Sequence, residues 1–144
     1  MSRRTAREHI FKIIFQTEFH KEEEIEEAFR IYEETIENVN KSDMDFIKSE
    51  IKGIVDNKGV VDDTINRCAE GWEISRIAKV DLAILRIAVY EILYVDDIPS
   101  KVSANEAVEL AKAFSSDKSP SFINGVLGKI INTVWGDIYY RIGI

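Results

Sequence analysis

Val80 to Tyr94 reads V-D-L-A-I-L-R-I-A-V-Y-E-I-L-Y, with apolar residues at 80, 82, 83, 84, 85, 87, 88, 89, 92 and 93. Wound as a helix, this pattern leaves no polar face. A surface helix carries one apolar stripe, whereas a helix apolar nearly all round is a buried one. The Ile and Val residues also admit a strand. The length of the run, with Ala, Leu and Glu interspersed, favours helix instead. Asp81, Arg86 and Glu91, together with the length, exclude a membrane span. The stretch is read as the buried central helix of an all-α core.

On its N-terminal side four further helices are expected. Ser2 to Phe19 forms the first, with Ser2 as N-cap and a buried face at 6, 10, 13 and 14. Arg3, Arg4, Arg7 and Lys12 crowd this helix, although a helix start favours acids. Two readings stand: a solvated terminus, or arginines that await an anion. An acidic helix follows over roughly Glu23 to Val39. Its apolar positions Ile25, Phe29, Tyr32, Ile36 and Val39 keep helical spacing, and its glutamates form a solvated face. Ser42 with Asp45 resembles a capping box that opens a third helix, and Lys58-Gly59 is its expected stop. A fourth helix is expected over about Val61 to Glu70, with Cys68 as a small buried apolar residue. A short turn through Ser75 to Lys79 leads into the central helix.

On the C-terminal side, Asp97-Ile98-Pro99-Ser100 ends the central helix, because proline and the residue before it both resist helix. Lys101 to Phe114 returns to helix, with Val102, Ala107, Val108, Leu110 and Ala111 as core candidates. Ser115 to Ser119 is a polar loop. Ser119-Pro120 then opens the last helix as N-cap and N1. Phe122, Ile123, Val126, Leu127, Ile130, Ile131 and Val134 face inward. Gly125 and Gly128 lie within this helix at a cost of about 1 kcal/mol each against Ala, which close approach of a neighbour would explain. The tail 135–144 is expected to fray or dock loosely.

The chain has 144 residues, 45% of them apolar, which suits one compact domain or two small subdomains sharing a core. A lone cysteine and the absence of a signal-type apolar segment make the cytoplasm the default location. The formal net charge of -7 argues weakly against nucleic acid, but the charges are unevenly distributed. His9 and His20 lack ligand-spaced companions, so no metal site is signalled. No nucleophile constellation, acid/base carboxylate pair or Gly-rich phosphate loop is present, so neither an enzyme nor a cofactor is indicated.

Four segments together resemble the NusB family of transcription antitermination factors. They are R-R-T-A-R-E at Arg3 to Glu8, D-L-A-I-L-R-I-A-V-Y-E at Asp81 to Glu91, D-I-P-S-K-V-S-A-N-E-A-V-E-L-A-K-A-F at Asp97 to Phe114, and S-P-S-F-I-N-G-V-L-G-K at Ser119 to Lys129. Each is weak alone, but four in order are specific. Ser103-Ala104 stands where Ala-Ile is commoner in the family, and Gly128 where Asp is usual. The resemblance implies seven helices in two packed helical subdomains, which we place at about residues 1–78 and 79–144. It implies binding of the boxA element of ribosomal RNA leader transcripts, as a heterodimer with NusE, a small-subunit ribosomal protein. The pair would help load a complex that keeps RNA polymerase from terminating. A NusB-like domain also heads some ribosomal RNA methyltransferases; this chain ends before a catalytic domain, and the stand-alone factor is expected.

By position, the resemblance places the RNA surface on Arg3, Arg4 and Arg7 and on the region after Phe114. There it takes in Ser116, Asp117, Ser119, Phe122 and Asn124, with Lys101 nearby. The chemistry is coherent: arginines fix phosphates, while unstacked bases lie on aromatic rings and are read by polar side chains. Phe114 and Phe122 also sit on apolar helix faces, so stacking and core packing both stay open. The NusE surface maps to Phe15 and Asp81, and Asp81 has the second reading of an acid complementing a helix dipole. A helical adaptor that binds protein but no RNA is the alternative function.

Overall fold

In a computed structural model the described residues are 1–141, with side chains through Val134. The expectation for the tail 135–144 falls largely outside them, although helical backbone continues to Arg141. The described residues form seven α-helices and one 3₁₀ turn, with no strand. They divide into two compact units, Met1–Asp56 and Asn57–Ile144. The division thus falls earlier than the expected 78/79, because the fourth helix packs with the central and last helices.

The first unit holds α1 (Arg3–Thr17), α2 (Glu22–Glu33) and α3 (Lys41–Asp56). Ser2 caps α1 by accepting from the Thr5 amide at 3.0 Å. Ala6, Ile10, Phe11, Ile13 and Ile14 form its buried face, against which α3 sets Ile47, Ile51 and Ile54. α2 ends sooner than its apolar spacing suggests, and only Ile36, beyond its end, is fully withdrawn from solvent. Asn38 turns the chain with φ 56°, a left-handed conformation that asparagine tolerates better than most residues. The capping box of α3 is Asn40 with Asp43, not Ser42 with Asp45. The Asp43 amide donates to Asn40 Oδ1 at 2.8 Å, and the Asn40 amide donates to Asp43 Oδ2 at 3.3 Å.

The second unit holds α4 (Lys58–Cys68), a 3₁₀ turn (Ile74–Arg76), α5 (Lys79–Tyr94), α6 (Ser100–Phe114) and α7 (Ser119–Arg141). Lys58-Gly59, the expected stop of α3, instead forms the first turn of α4. α5 is buried without interruption from Asp81 to Glu91, as its all-round apolarity requires. Its three buried charges each meet a partner on a different neighbour. Arg86 donates to Asp62 of α4 through Nε and Nη2 at 2.9 and 3.1 Å. Ser103 of α6 donates to Glu91 at 2.7 Å. Asp81 takes the hydroxyls of the α6–α7 loop region. Val102, expected in the core, is 42% exposed. In α7 the buried face is Ile123, Val126, Leu127 and Ile130, with Phe122, Ile131 and Val134 half-buried. A Cβ built at Gly125 or Gly128 meets nothing within 4 Å, so close helix approach does not explain these glycines.

Candidate nucleic-acid interface

In the first unit the arginines sit at the start of α1, whose own first turn supplies no acid. An acid from α3 offsets them instead. Asp43 takes the Met1 ammonium at 3.1 Å and lies 4.0 Å from Arg3. The hydrogen bond from that ammonium is the main cause holding its carboxyl below the usual range, with the Asn40 amide and Arg3 adding. The Arg3 guanidinium lies 4.2 Å from the centroid of the Phe46 ring, and that of Arg7 lies 5.5 Å away. Cations are attracted to an aromatic face by its quadrupole. Arg7 is only 5% exposed, so its side chain serves packing on Phe46. Of the three arginines expected at the RNA surface, Arg3 and Arg4 are the exposed ones.

Phe15 is half-buried on α1 in a ladder of rings. It stacks on Phe11 at 5.9 Å and meets the edge of Phe19 at 5.2 Å. Phe19 is 63% exposed and continues the apolar surface beyond Phe15. The four-residue spacing of 11, 15 and 19 is the sequence signal for this extension. On the same helix, His9 Nδ1 lies 2.9 Å from the Tyr32 hydroxyl. Burial, with Lys12, lowers the His9 pKa, which favours a neutral ring that can accept from Tyr32.

In the second unit, the loop between α6 and α7 is anchored from below. Asp81 is 7% exposed. Ser115 donates to its Oδ1 at 2.5 Å and Ser119 to its Oδ2 at 2.9 Å. The Ser119 hydroxyl is also 2.8 Å from that of Ser115 and 2.9 Å from that of Ser116. Both Asp81 oxygens are therefore engaged within the unit, and the residue lies in the first turn of α5, where an acid also complements the helix dipole. Ser119 is likewise buried. It begins α7 and points its hydroxyl at Asp81 instead of capping the helix, so the direct RNA contact expected of it is not presented to solvent.

Ser116, Asp117 and Asn124 remain exposed beside this anchor, and Phe114 shows part of its ring. Lys101 is exposed at the opposite end of α6, which at 1.5 Å of rise per residue places it roughly 20 Å from Phe114. Phe122 is half-buried and meets the edge of Trp72, ring centroids 6.0 Å apart at 68°. Between the rings and the Asp81 anchor lies a cavity of about 350 Å³, also lined by Arg76 and Lys118. Trp72, Arg76 and Lys118 were not singled out as site residues from sequence. The available signal was a tryptophan four residues before an arginine in a non-helical stretch.

The sequence and the fold both match proteins that are already known. The NusB family model matches residues 4–132. The transcription antitermination protein NusB of Acetivibrio thermocellus is 46% identical over 134 residues, covering 91% of this chain and 89% of that protein. Its counterpart in Agathobacter rectalis is 43% identical over 129 residues, covering 90% and 98%. The crystal form of T. maritima NusB superposes with a TM-score of 0.83 at 38% identity, covering 92% of each chain. A structure of antitermination factors NusB and NusE in complex with dsRNA gives a TM-score of 0.82 at 24% identity, covering 91% of this chain and 96% of that one, a likeness of fold. With the family model spanning nearly the whole chain, this protein belongs to the NusB family.

Proposed function

We propose that this chain is a cytoplasmic transcription antitermination factor, a binding protein and not an enzyme, that holds boxA RNA together with NusE. The observation that carries the reading is the Asp81-anchored loop. It presents Ser116 and Asp117 to solvent beside the partly exposed rings of Phe114, Phe122 and Trp72. Single-stranded RNA is recognised by this combination of polar side chains and aromatic platforms. Arg3 and Arg4 supply phosphate contacts from the first unit, and the Phe15–Phe19 ladder supplies an apolar face for NusE. Asn124, exposed in the first turns of α7, extends the RNA surface; Lys101 contributes only to an RNA long enough to reach the far end of α6. Among the described residues no helix is long and apolar enough to cross a membrane.

The test is a gel-shift titration of a boxA oligoribonucleotide with the chain and NusE, at graded salt. Each neutralised phosphate contributes a log–log slope of about -0.7 for single strands. The double substitution Arg3→Ala with Arg4→Ala is expected to make the slope shallower by roughly one unit or more. An unchanged slope removes the arginines from the interface. Retained NusE binding with no RNA shift at any salt would leave the helical adaptor as the function.

A further inference from the structure

We propose that the cavity walled by the Trp72 and Phe122 rings on one side and the Asp81 anchor on the other receives one unstacked RNA base, with Arg76 and Lys118 holding the phosphates on either side of it. The inference rests on the RNA-binding reading above and names the part of that site that contacts a base. At about 350 Å³ the cavity lies at the small end of ligand pockets, which run from roughly 300 to 1,000 Å³. That suits a single base better than a dinucleotide. The two rings stand nearly perpendicular, so a base stacked on one meets the edge of the other.

Charge chooses among occupants. The buried carboxylate of Asp81 lines the cavity and Ile77 and Ala78 add apolar wall, which together disfavour an anion inside. Arg76 and Lys118 are exposed at the lining, and among the described residues neither side chain makes an ion pair. Two uncommitted cations around an aromatic slot, in a chain of net charge -7, match a flat neutral group carried on an anionic backbone. A nucleotide within single-stranded RNA has that shape and charge.

The slot is also built before any ligand arrives. Gly71 turns the chain with φ 77°, a conformation other residues rarely adopt, and so aims Trp72. The Asn66 side chain accepts from the Ile74 amide at 3.0 Å, fixing the 3₁₀ turn that carries Arg76. Glu70 pairs with Lys129 of α7, tying the tryptophan segment to the helix that bears Phe122. Preorganisation of this kind lowers the ordering cost of binding.

The test uses the full chain with NusE, in a Trp135→Phe background that leaves Trp72 as the one tryptophan, and a boxA oligoribonucleotide carrying a single abasic site at each position in turn. RNA binding is expected to quench Trp72 emission. Trp72→Ala, which removes a side chain already 49% exposed and is checked for folding by its melting curve, is expected to weaken binding about tenfold or more. One abasic position should cost the parent about as much and cost Trp72→Ala almost nothing further. Parent affinity for the intact RNA, combined with equal losses at every abasic position in both proteins, would overturn the pocket while leaving the RNA function in place. No salt-dependent RNA binding by the parent would overturn both.

Discussion

Asp81 shows how one side chain organises a recognition loop. A buried carboxylate is stable where hydrogen bonds compensate its desolvation, and here two serine hydroxyls do so. The loop they belong to is thereby held against α5. Hydrogen bonds to a charged group contribute roughly 1.5–3 kcal/mol. Asp81→Ala is therefore expected to destabilise the protein by about that amount and to reduce boxA affinity through the loosened loop. Affinity for NusE should be unchanged. Thermal melts alongside RNA and NusE titrations check this. Loss of NusE binding with RNA binding intact would return Asp81 to the protein interface.

At the scale of the element, α5 reconciles a nearly apolar surface with three charged residues. Arg86 and Asp62 make a bidentate pair that fixes α4 against it. Burial pushes the Asp62 carboxyl up to about 6 and the Arg86 guanidinium down to about 10, so both remain charged at neutral pH. Removing the half-buried Asp62 strands the buried Arg86 charge and costs at most the roughly 3–5 kcal/mol of a fully buried pair, whereas replacing both with apolar residues is often neutral. Asp62→Ala is expected to lower the urea midpoint sharply, and Asp62→Leu with Arg86→Met to recover most of the loss. If the double variant is no more stable than the single one, the pair is not what joins these helices. The remaining partners follow the same logic, since Glu91 meets Ser103 on α6 and Asp81 meets the loop before α7. The pairings give each neighbour of α5 its own polar contact.

Across the whole molecule, an acidic chain concentrates positive charge at the start of α1 and steadies it with Asp43. The folded Asp43 carboxyl is held below its ordinary value, so the unfolded chain binds the proton more tightly. Its stabilising contribution is thus complete above the ordinary range and is lost as pH falls through the lowered folded value. Melting curves should show Asp43→Asn less stable than the parent at pH 7. That gap is expected to hold down to about pH 4 and then close on further acidification. A gap independent of pH would mean that shape, not charge, explains the position.

What the sequence determined by itself lies within a turn or two of chain. Ser2 was legible as a cap because its partner is three residues away, and α5 because apolarity on every side has one stable outcome in water. The all-α class and the approximate helix ranges follow from the same short-range periodicity. Motifs in order also located the α6–α7 loop and Phe122. Tertiary structure decided the rest wherever the deciding partner is remote. Asn40–Asp43 and Ser42–Asp45 are overlapping cap patterns, and Asp43 is the one that also receives Met1 and Arg3. Arg7 turned inward because Phe46 waits on α3. Ser115 and Ser119 reach Asp81 across 34 and 38 residues, and Trp72 finds Phe122 only once α7 has folded beside it. Local patterns carry backbone conformation, but the burial of a charge or the meeting of two rings depends on free energy gained between segments that no short window contains.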